Sequence, residues 1–201
     1  YINNFNGAVI NATISLYTHA SLRVKKIKKG IHISSLDLCD SIEFENLDEL
    51  INYKGRFSLI TEVIKAINPK FGFDLFLRSD YPMSSGLGGS AVVAAAILGC
   101  FNQLRNDKWD MYELAEMAFQ AERIQLGIAG GWQDQYATVF GGFNFMEFNK
   151  NENIIHPLRM PIDAIRELEE SLILCYTGLT HDSGDIHKDQ SENTRATITK
   201  K

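Results

Sequence analysis

The ten residues Pro82-Met83-Ser84-Ser85-Gly86-Leu87-Gly88-Gly89-Ser90-Ala91 join a strand-like run, Phe73 to Arg78, to a long apolar helix that opens near Gly89. A glycine-rich turn opening into a helix is suited to hold phosphate. Glycine lets the backbone approach closely and take positive φ. The first N–H groups of a helix have no intrahelical partner, and the helix dipole favours an anion beside them. The types and spacing therefore point to a nucleotide or phosphate site lined by Ser84, Ser85, Gly86, Leu87, Gly88, Gly89 and Ser90. Phosphoryl transfer also needs a cation to offset the phosphate charge and a group that aligns or deprotonates the attacking hydroxyl. A hard cation such as Mg²⁺ takes a few oxygen ligands and keeps its waters. Ser90 at the helix start and one carboxylate from elsewhere would suffice.

Three kinds of phosphate loop can be compared with this one. A Walker-type loop needs G-x-x-x-x-G-K-[ST], and no lysine lies between Pro82 and Leu104. The dinucleotide fingerprint G-x-G-x-x-[GA] is formally matched by Gly86, Gly88 and Ala91. That fold wants an acidic residue ending a second strand about 20 positions on. Here Asp107 and Asp110 lie instead in a polar turn leading into another helix, and Asp80-Tyr81-Pro82 with two serines separates the strand from Gly86. The third is the loop of the GHMP small-molecule kinases, whose signature resembles P-x-x-x-G-L-G-S-S-A. Pro82, Gly86, Leu87, Gly88, Ser90 and Ala91 fit it, and Gly89 replaces the first serine of the pair.

The resemblance gives roles to residues that position alone leaves ordinary. Glu122, near a helix end one turn before a glycine-rich break, reads by itself as a solvent-facing glutamate. In GHMP kinases a metal-binding glutamate occupies this place, which implies Ser90 and Glu122 as ligands of Mg²⁺. Asp134, in Gly130-Gly131-Trp132-Gln133-Asp134-Gln135, reads by itself as a carboxylate stabilising a helix start. The segment resembles the stretch before the catalytic aspartate of galactokinase- and mevalonate-kinase-like enzymes. Asp134 would then accept a proton from the acceptor hydroxyl, or align it, with a neighbouring cation keeping it ionised.

Further stretches carry the likeness along most of the chain: Gly7 to Ile14, Gly131 to Gln135, Phe140-Gly141-Gly142-Phe143, and Thr177 to Gly184. Together they resemble the bacterial sugar-1-kinase branch, and within it the D-glycero-D-manno-heptose 7-phosphate kinases. This implies transfer of the ATP γ-phosphate to the anomeric hydroxyl of a sugar or sugar phosphate, with heptose 7-phosphate giving a 1,7-bisphosphate. Fucose-type kinases share much of the pattern, and a nucleotide-binding regulatory protein without turnover is the rival from another class. Gly131, Trp132, Gln133 and Ser183 are implied as substrate contacts, with Gly184 and Lys188 beside them. Trp132 could stack on a sugar or fill the core. The family's first motif would precede Tyr1, and its carboxy-terminal domain would follow Lys201. The expectation is thus a segment of a longer protein: residues 1–160 as an ATP-binding domain without its first strand, and 161–201 as the start of a truncated second domain. Activity is expected of the parent enzyme rather than of this segment alone.

The elements that must position these residues can be sketched from pattern. A net charge of −5 argues against general nucleic-acid binding. The longest apolar run, Ala91 to Cys100, is too short to cross a bilayer. Cys39, Cys100 and Cys175 are widely spaced and odd in number, which reads as free thiols in a reducing, cytoplasmic setting. The expected partner is a small molecule, with neither nucleic acid nor membrane; oligomeric state is not legible. Ala8 to Val24 suggests one long strand or two paired strands, and Lys25 to Gly30 a charged hairpin turn into Ile31 to Ser35. Helical spacing runs from Leu47 to Ile67 and ends at Asn68-Pro69. The helix from Ser90 to about Leu104 is apolar on every side at first and should be buried. Asp110 and Glu113 form a capping pair for a helix running to about Arg123. A short helix from Gln133 to Phe140 follows, then a hairpin of Phe143–Phe148 with Asn153–Leu158. Another helix starts at Pro161, and Leu172 to Tyr176 is a buried-strand candidate. Strands and helices so mixed predict an α+β fold, with a mixed sheet packed on helices. His181 and His187 lie six apart with no further His or Cys at a ligand spacing, and read as surface or substrate-loop histidines.

Overall fold

The computed structural model describes residues 7–26, 29–128 and 130–175. Its organising strand is β5 (Phe73–Ser79), which delivers the glycine-rich turn. Phe73, Leu75 and Leu77 are buried to within 3% exposure, while Phe76 on the opposite face is 41% exposed. This alternation is that of a strand with one face on a core and one toward water. β5 lies between β2 (Thr18–Val24), antiparallel, and β3 (Ile31–Ser35), parallel; β4 (Asp40–Phe44) closes the far edge of this four-stranded mixed sheet.

The expected hairpin between β2 and β3 is therefore absent, because β5 occupies the place between them. Lys25, read as part of a solvated turn, pairs instead with Asp74 of β5 at 3.1 Å. Nor do the two strands of the Ala8 to Val24 region pair with each other. β1 (Gly7–Ala12) joins β6 (Phe143–Phe148) and β7 (Asn153–Pro157) in a separate antiparallel sheet of order β1-β6-β7. The α+β expectation stands, with strands divided between two sheets. The β6–β7 hairpin is as the sequence suggests.

The predicted helix over Leu47–Ile67 is two: α1 (Leu47–Ile51) and α2 (Ser58–Ile67). Asn46 caps α1 through Oδ1, which accepts from Glu49 N–H at 2.9 Å, and Asn52 closes its other end. Gly55 is then bridged by Ser58, whose Oγ accepts from Gly55 N–H (2.9 Å) and donates to its carbonyl (2.7 Å), so the chain turns before α2 begins. α2 buries Ile60, Val63 and Ile64 at helical spacing.

α3 (Gly89–Gln103) is the central helix, packed against α2, β2 and two later helices. Its small residues let those neighbours approach, and no residue from Leu87 to Asn102 is exposed. Ile97, Leu98 and Phe101 of α3 meet Val63 and Ile64 of α2 and Ile33, Phe73 and Leu75 of the mixed sheet in the first core. Each such side chain contributes about 1.5–3 kcal/mol on burial. α4 (Met111–Phe119) starts with the predicted capping box: Glu113 N–H donates to Asp110 Oδ1 (2.9 Å) and Asp110 N–H to Glu113 Oε2 (2.8 Å). α5 (Gln133–Phe140) contributes Tyr136 to a second core with Ala115, Met146, Phe148 and Ile155.

α6 (Ile162–Ser171) buries none of its residues among those described. The strand expected at Leu172–Tyr176 is not found. Leu172, Ile173 and Leu174 are 63%, 92% and 70% exposed and have no strand beside them among the described residues, and Tyr176 lies outside these. An apolar run becomes a buried strand only where a sheet edge receives it. No helix of the described residues is long and apolar enough to cross a membrane.

Candidate active site

The glycine turn adopts a backbone that its composition permits. Gly86 and Gly88 take φ of 78° and 68°, and Ser84 takes 55°, a left-handed conformation that non-glycine residues seldom adopt. Gly88 is the N-cap of α3 and offers no capping side chain, and among the described residues no side-chain acceptor caps the first turn of the helix. The N–H groups of that turn are left for a ligand, as an anion site requires. Ser90 follows in the first turn, with its hydroxyl directed at Glu122.

Glu122 reaches the site because α4 does not end as an α-helix. From Gln120 to Gln125 the chain widens into a π-helical turn. An i→i+5 turn crowds more residues onto one side. Consecutive Ala121, Glu122 and Arg123 are accordingly all buried. Glu122 is 1% exposed, which overturns the solvent-facing reading that position alone suggested. Its carboxylate accepts from Ser90 Oγ–H and from Gln135 Nε2–H (2.6 Å), and Arg123 Nη1 lies 3.3 Å from Oε1. A buried charge without such partners would cost several kcal/mol.

Asp134 enters from α5. A Cβ placed on Gly88 would touch Asp134 Cβ at 3.6 Å and Cγ at 3.7 Å, so the carboxylate lies over the phosphate loop. The second Arg123 nitrogen, Nη2, stands 3.4 Å from Asp134 Oδ2. One guanidinium thus touches both carboxylates. Gly130 makes room for it: a Cβ there would fall 2.4 Å from Arg123 Cζ. The carboxylates differ in access. The Glu122 side chain is sealed at 1% exposure, whereas Asp134 is 34% exposed and can meet an acceptor from solution.

The structure thus brings together the loop from Ser84 to Ser90, Glu122 and Asp134, which the sequence singles out separately. Ser90 and Glu122 offer a hydroxyl and a carboxylate oxygen in contact, a hard-oxygen pair suited to Mg²⁺ with phosphate oxygens and water completing the shell. Among the described residues no group of three or more His, Cys, Asp or Glu could hold a metal by itself. Gly131 borders open space and Gln133 is exposed beside Asp134, so both are accessible to a substrate. Trp132 stacks on Phe119 (centroids 4.4 Å apart, 13° between planes) and packs on the second core, so that ring face is not offered to a sugar. Ser183, Gly184, Lys188 and the histidines 181 and 187 lie outside the described residues. Arg123 and Gln135 are the participants that sequence reasoning missed. Their signals were slight: Arg123 adjoins Glu122, and Gln135 adjoins Asp134.

Residues 58–142 match the GHMP kinases N terminal domain. The chain is 38% identical over 194 residues to D-glycero-alpha-D-manno-heptose 7-phosphate kinase of Campylobacter jejuni, covering 94% of this chain and 57% of that protein. It is 27% identical over 208 residues to L-fucokinase/L-fucose-1-P guanylyltransferase of Bacteroides fragilis, covering 90% of this chain and 22% of that one. A crystal structure of a D-glycero-D-manno-heptose 1-phosphate kinase from Bacteroides thetaiotaomicron superposes with a TM-score of 0.75 at 34% identity, covering 82% of this chain and 55% of that one. The chain therefore spans little more than half the length of the heptose kinases it matches. Residues 58–142, with the glycine turn at the head of α3 and Asp134 on α5, thus match a GHMP kinases N terminal domain.

Proposed function

We propose that the full-length protein transfers the γ-phosphate of ATP to the anomeric hydroxyl of a sugar phosphate of the heptose class. The observation that carries this reading is the convergence on one spot of an uncapped helix start, the Ser90–Glu122 oxygen pair and the half-open Asp134. Ser84 to Ser90 hold the phosphates through backbone N–H groups. Ser90 and Glu122 hold Mg²⁺, which when bound offsets the charge of the phosphates. Asp134 accepts the proton of the acceptor hydroxyl or aligns it, and Arg123 fixes the direction of that carboxylate. Gly131 and Gln133 border the acceptor. Residues 1–160 form the ATP-binding domain and 161–201 begin the second domain; α6, with no residue buried against the described cores, agrees with a boundary near Pro161.

The names of the similar proteins support the heptose class and differ in where the phosphate sits, 7-phosphate in one and 1-phosphate in another. The test is ADP release by the full-length protein with Mg-ATP against free sugars, heptose 7-phosphate, heptose 1-phosphate and fucose. Turnover with heptose 7-phosphate, falling about 10²-fold or more in Asp134→Asn while ATP binding persists, is expected for loss of a proton acceptor. Turnover with fucose alone would move the substrate to the fucose class. Tight ATP binding without turnover on any acceptor would make this a regulatory nucleotide-binding protein.

A further inference from the structure

Gly89, the first residue of α3, stands where related loops carry a serine, and the structure contains a reason. A Cβ at Gly89 would lie 3.2 Å from Cε2 of Tyr81, tighter than side chains ordinarily pack. The contact is relieved only if the ring shifts by a few tenths of an ångström. Tyr81 is poorly placed to shift. Its hydroxyl bonds Thr18 Oγ1 (2.8 Å), Thr18 bonds Ser79 Oγ (2.9 Å), and Asp37 holds Ser79 at both its N–H and its hydroxyl (2.9 Å each).

The direction of this chain of hydroxyls follows from counting protons. Asp37 Oδ2 accepts from Ser79 Oγ–H, so the Ser79 proton is committed to it. Ser79 then accepts from Thr18, and Thr18 accepts from Tyr81. The tyrosine proton is thus spent inside the chain, which ties the ring to the end of β2, the end of β5 and the turn after β3. Three elements of the mixed sheet converge on one aromatic ring at the mouth of the phosphate loop.

We infer that Tyr81 is a positioning residue for nucleotide binding: its pinned ring walls the first turn of α3, and Gly89 is glycine because that wall is there. The chain has exchanged a loop hydroxyl for a fixed aromatic wall. Phosphate must then be held by the backbone N–H groups of the turn and by Ser90, with the ring keeping the turn in place. This inference rests on the reading of the loop as a nucleotide site.

The test is a double-mutant cycle in the full-length protein using Gly89→Ser, Tyr81→Ala and the pair, with ATP dissociation constants, kcat at saturating ATP and thermal melting as readouts. Gly89→Ser alone is expected to weaken ATP binding about tenfold, and in the Tyr81→Ala background by less than about twofold, a coupling on the scale of residues in contact. Tyr81→Phe keeps the ring and is expected to stay within about threefold of wild type, since one neutral hydrogen bond is worth about that much. In all of these kcat at saturating ATP should move far less than the dissociation constant. If Tyr81→Ala does not fold, Tyr81→Leu takes its place in the cycle. An equal cost of Gly89→Ser in both backgrounds, in a wild type that binds ATP, would overturn the inference while leaving the kinase reading intact. A wild type that binds no ATP would overturn the kinase reading and this inference with it.

Discussion

Gln135 has no exposed surface, and its side-chain amide has one engaged end and one idle end. Nε2–H donates to Glu122 Oε2 at 2.6 Å, while Oε1 is buried without a hydrogen-bond partner among the described residues. The facing carboxylate fixes this orientation, since the flipped amide would set oxygen against oxygen. Replacing Gln135 with Met keeps the length and much of the volume. It removes one bond to a charged acceptor, about 1.5–3 kcal/mol, and also one idle buried acceptor, which returns about 1 kcal/mol. The bond should win, leaving a net loss of about 0.5–2 kcal/mol, or roughly 1–8 °C in melting temperature for a domain of this size. Gln135→Glu is closer in shape yet should be worse. It replaces the donor with a second carboxylate in a sealed pocket, and disruptions of buried charge of this kind cost about 3–5 kcal/mol. Urea unfolding of the three full-length proteins reads these differences directly from the midpoints, provided the slopes agree. The expected order of stability is wild type, then Met, then Glu. Both variants lying within about 0.5 kcal/mol of wild type, inside the scatter of ordinary surface changes, would refute the arrangement around Glu122.

Two other perturbations follow from contacts already described. Gly130→Ala would drive a methyl group into Arg123 Cζ, so the guanidinium must shift against Glu122 and Asp134. Such overpacking costs about 1–3 kcal/mol, and turnover should fall while Gly131→Ala, whose Cβ would meet open space, stays near wild type in stability. The Asp74 carboxyl is pushed up by burial, but hydrogen bonds and charge from Arg23 and Lys25 outweigh this and hold it below its ordinary value of 3.8. A depressed native value means the stabilisation is full above the ordinary value of 3.8 and disappears as pH falls through the native value. Asp74→Asn should therefore cost about 1–2 kcal/mol near neutrality. The gap between variant and wild type should narrow in urea titrations as pH falls below 3.8 and close below the depressed native value; a gap independent of pH would contradict the pairing.

What could be read from the sequence was what neighbours along the chain decide. The Asp110–Glu113 capping box, the α5 start after Gly130-Gly131 and the turn before α3 are local chemistry, and each is where the pattern puts it. The family motifs likewise picked out Glu122 and Asp134 before any geometry. Strand partners were not legible. The lysine-rich link after Val24 looks like a hairpin because nothing in it announces that β5, over forty residues later, takes the place beside β2. Helical spacing across Leu47–Ile67 is continuous enough to hide the turn at Gly55, since spacing records which face is buried and not whether the axis persists. The π-helical turn was hidden for a related reason. Glu122 and Arg123 are charged, so a pattern of apolar residues cannot register that both point inward. Leu172 to Leu174 shows the opposite failure, apolar residues whose burial depends on a neighbour that the described residues do not supply.

The double clamping of β5 has a consequence for how this loop can change over generations. Sliding β5 by one residue would turn Phe73, Leu75 and Leu77 outward and carry the glycine turn about 3.3 Å along the strand. Two ladders, one antiparallel to β2 and one parallel to β3, would have to break together for that to occur. The turn thus inherits its place along the sheet from β5, while the Tyr81 ring walls its helical side. Substitutions inside it can therefore be selected without shifting the strand, each within the space its neighbours leave, as the Tyr81 ring limits position 89; β5 itself lacks even that latitude.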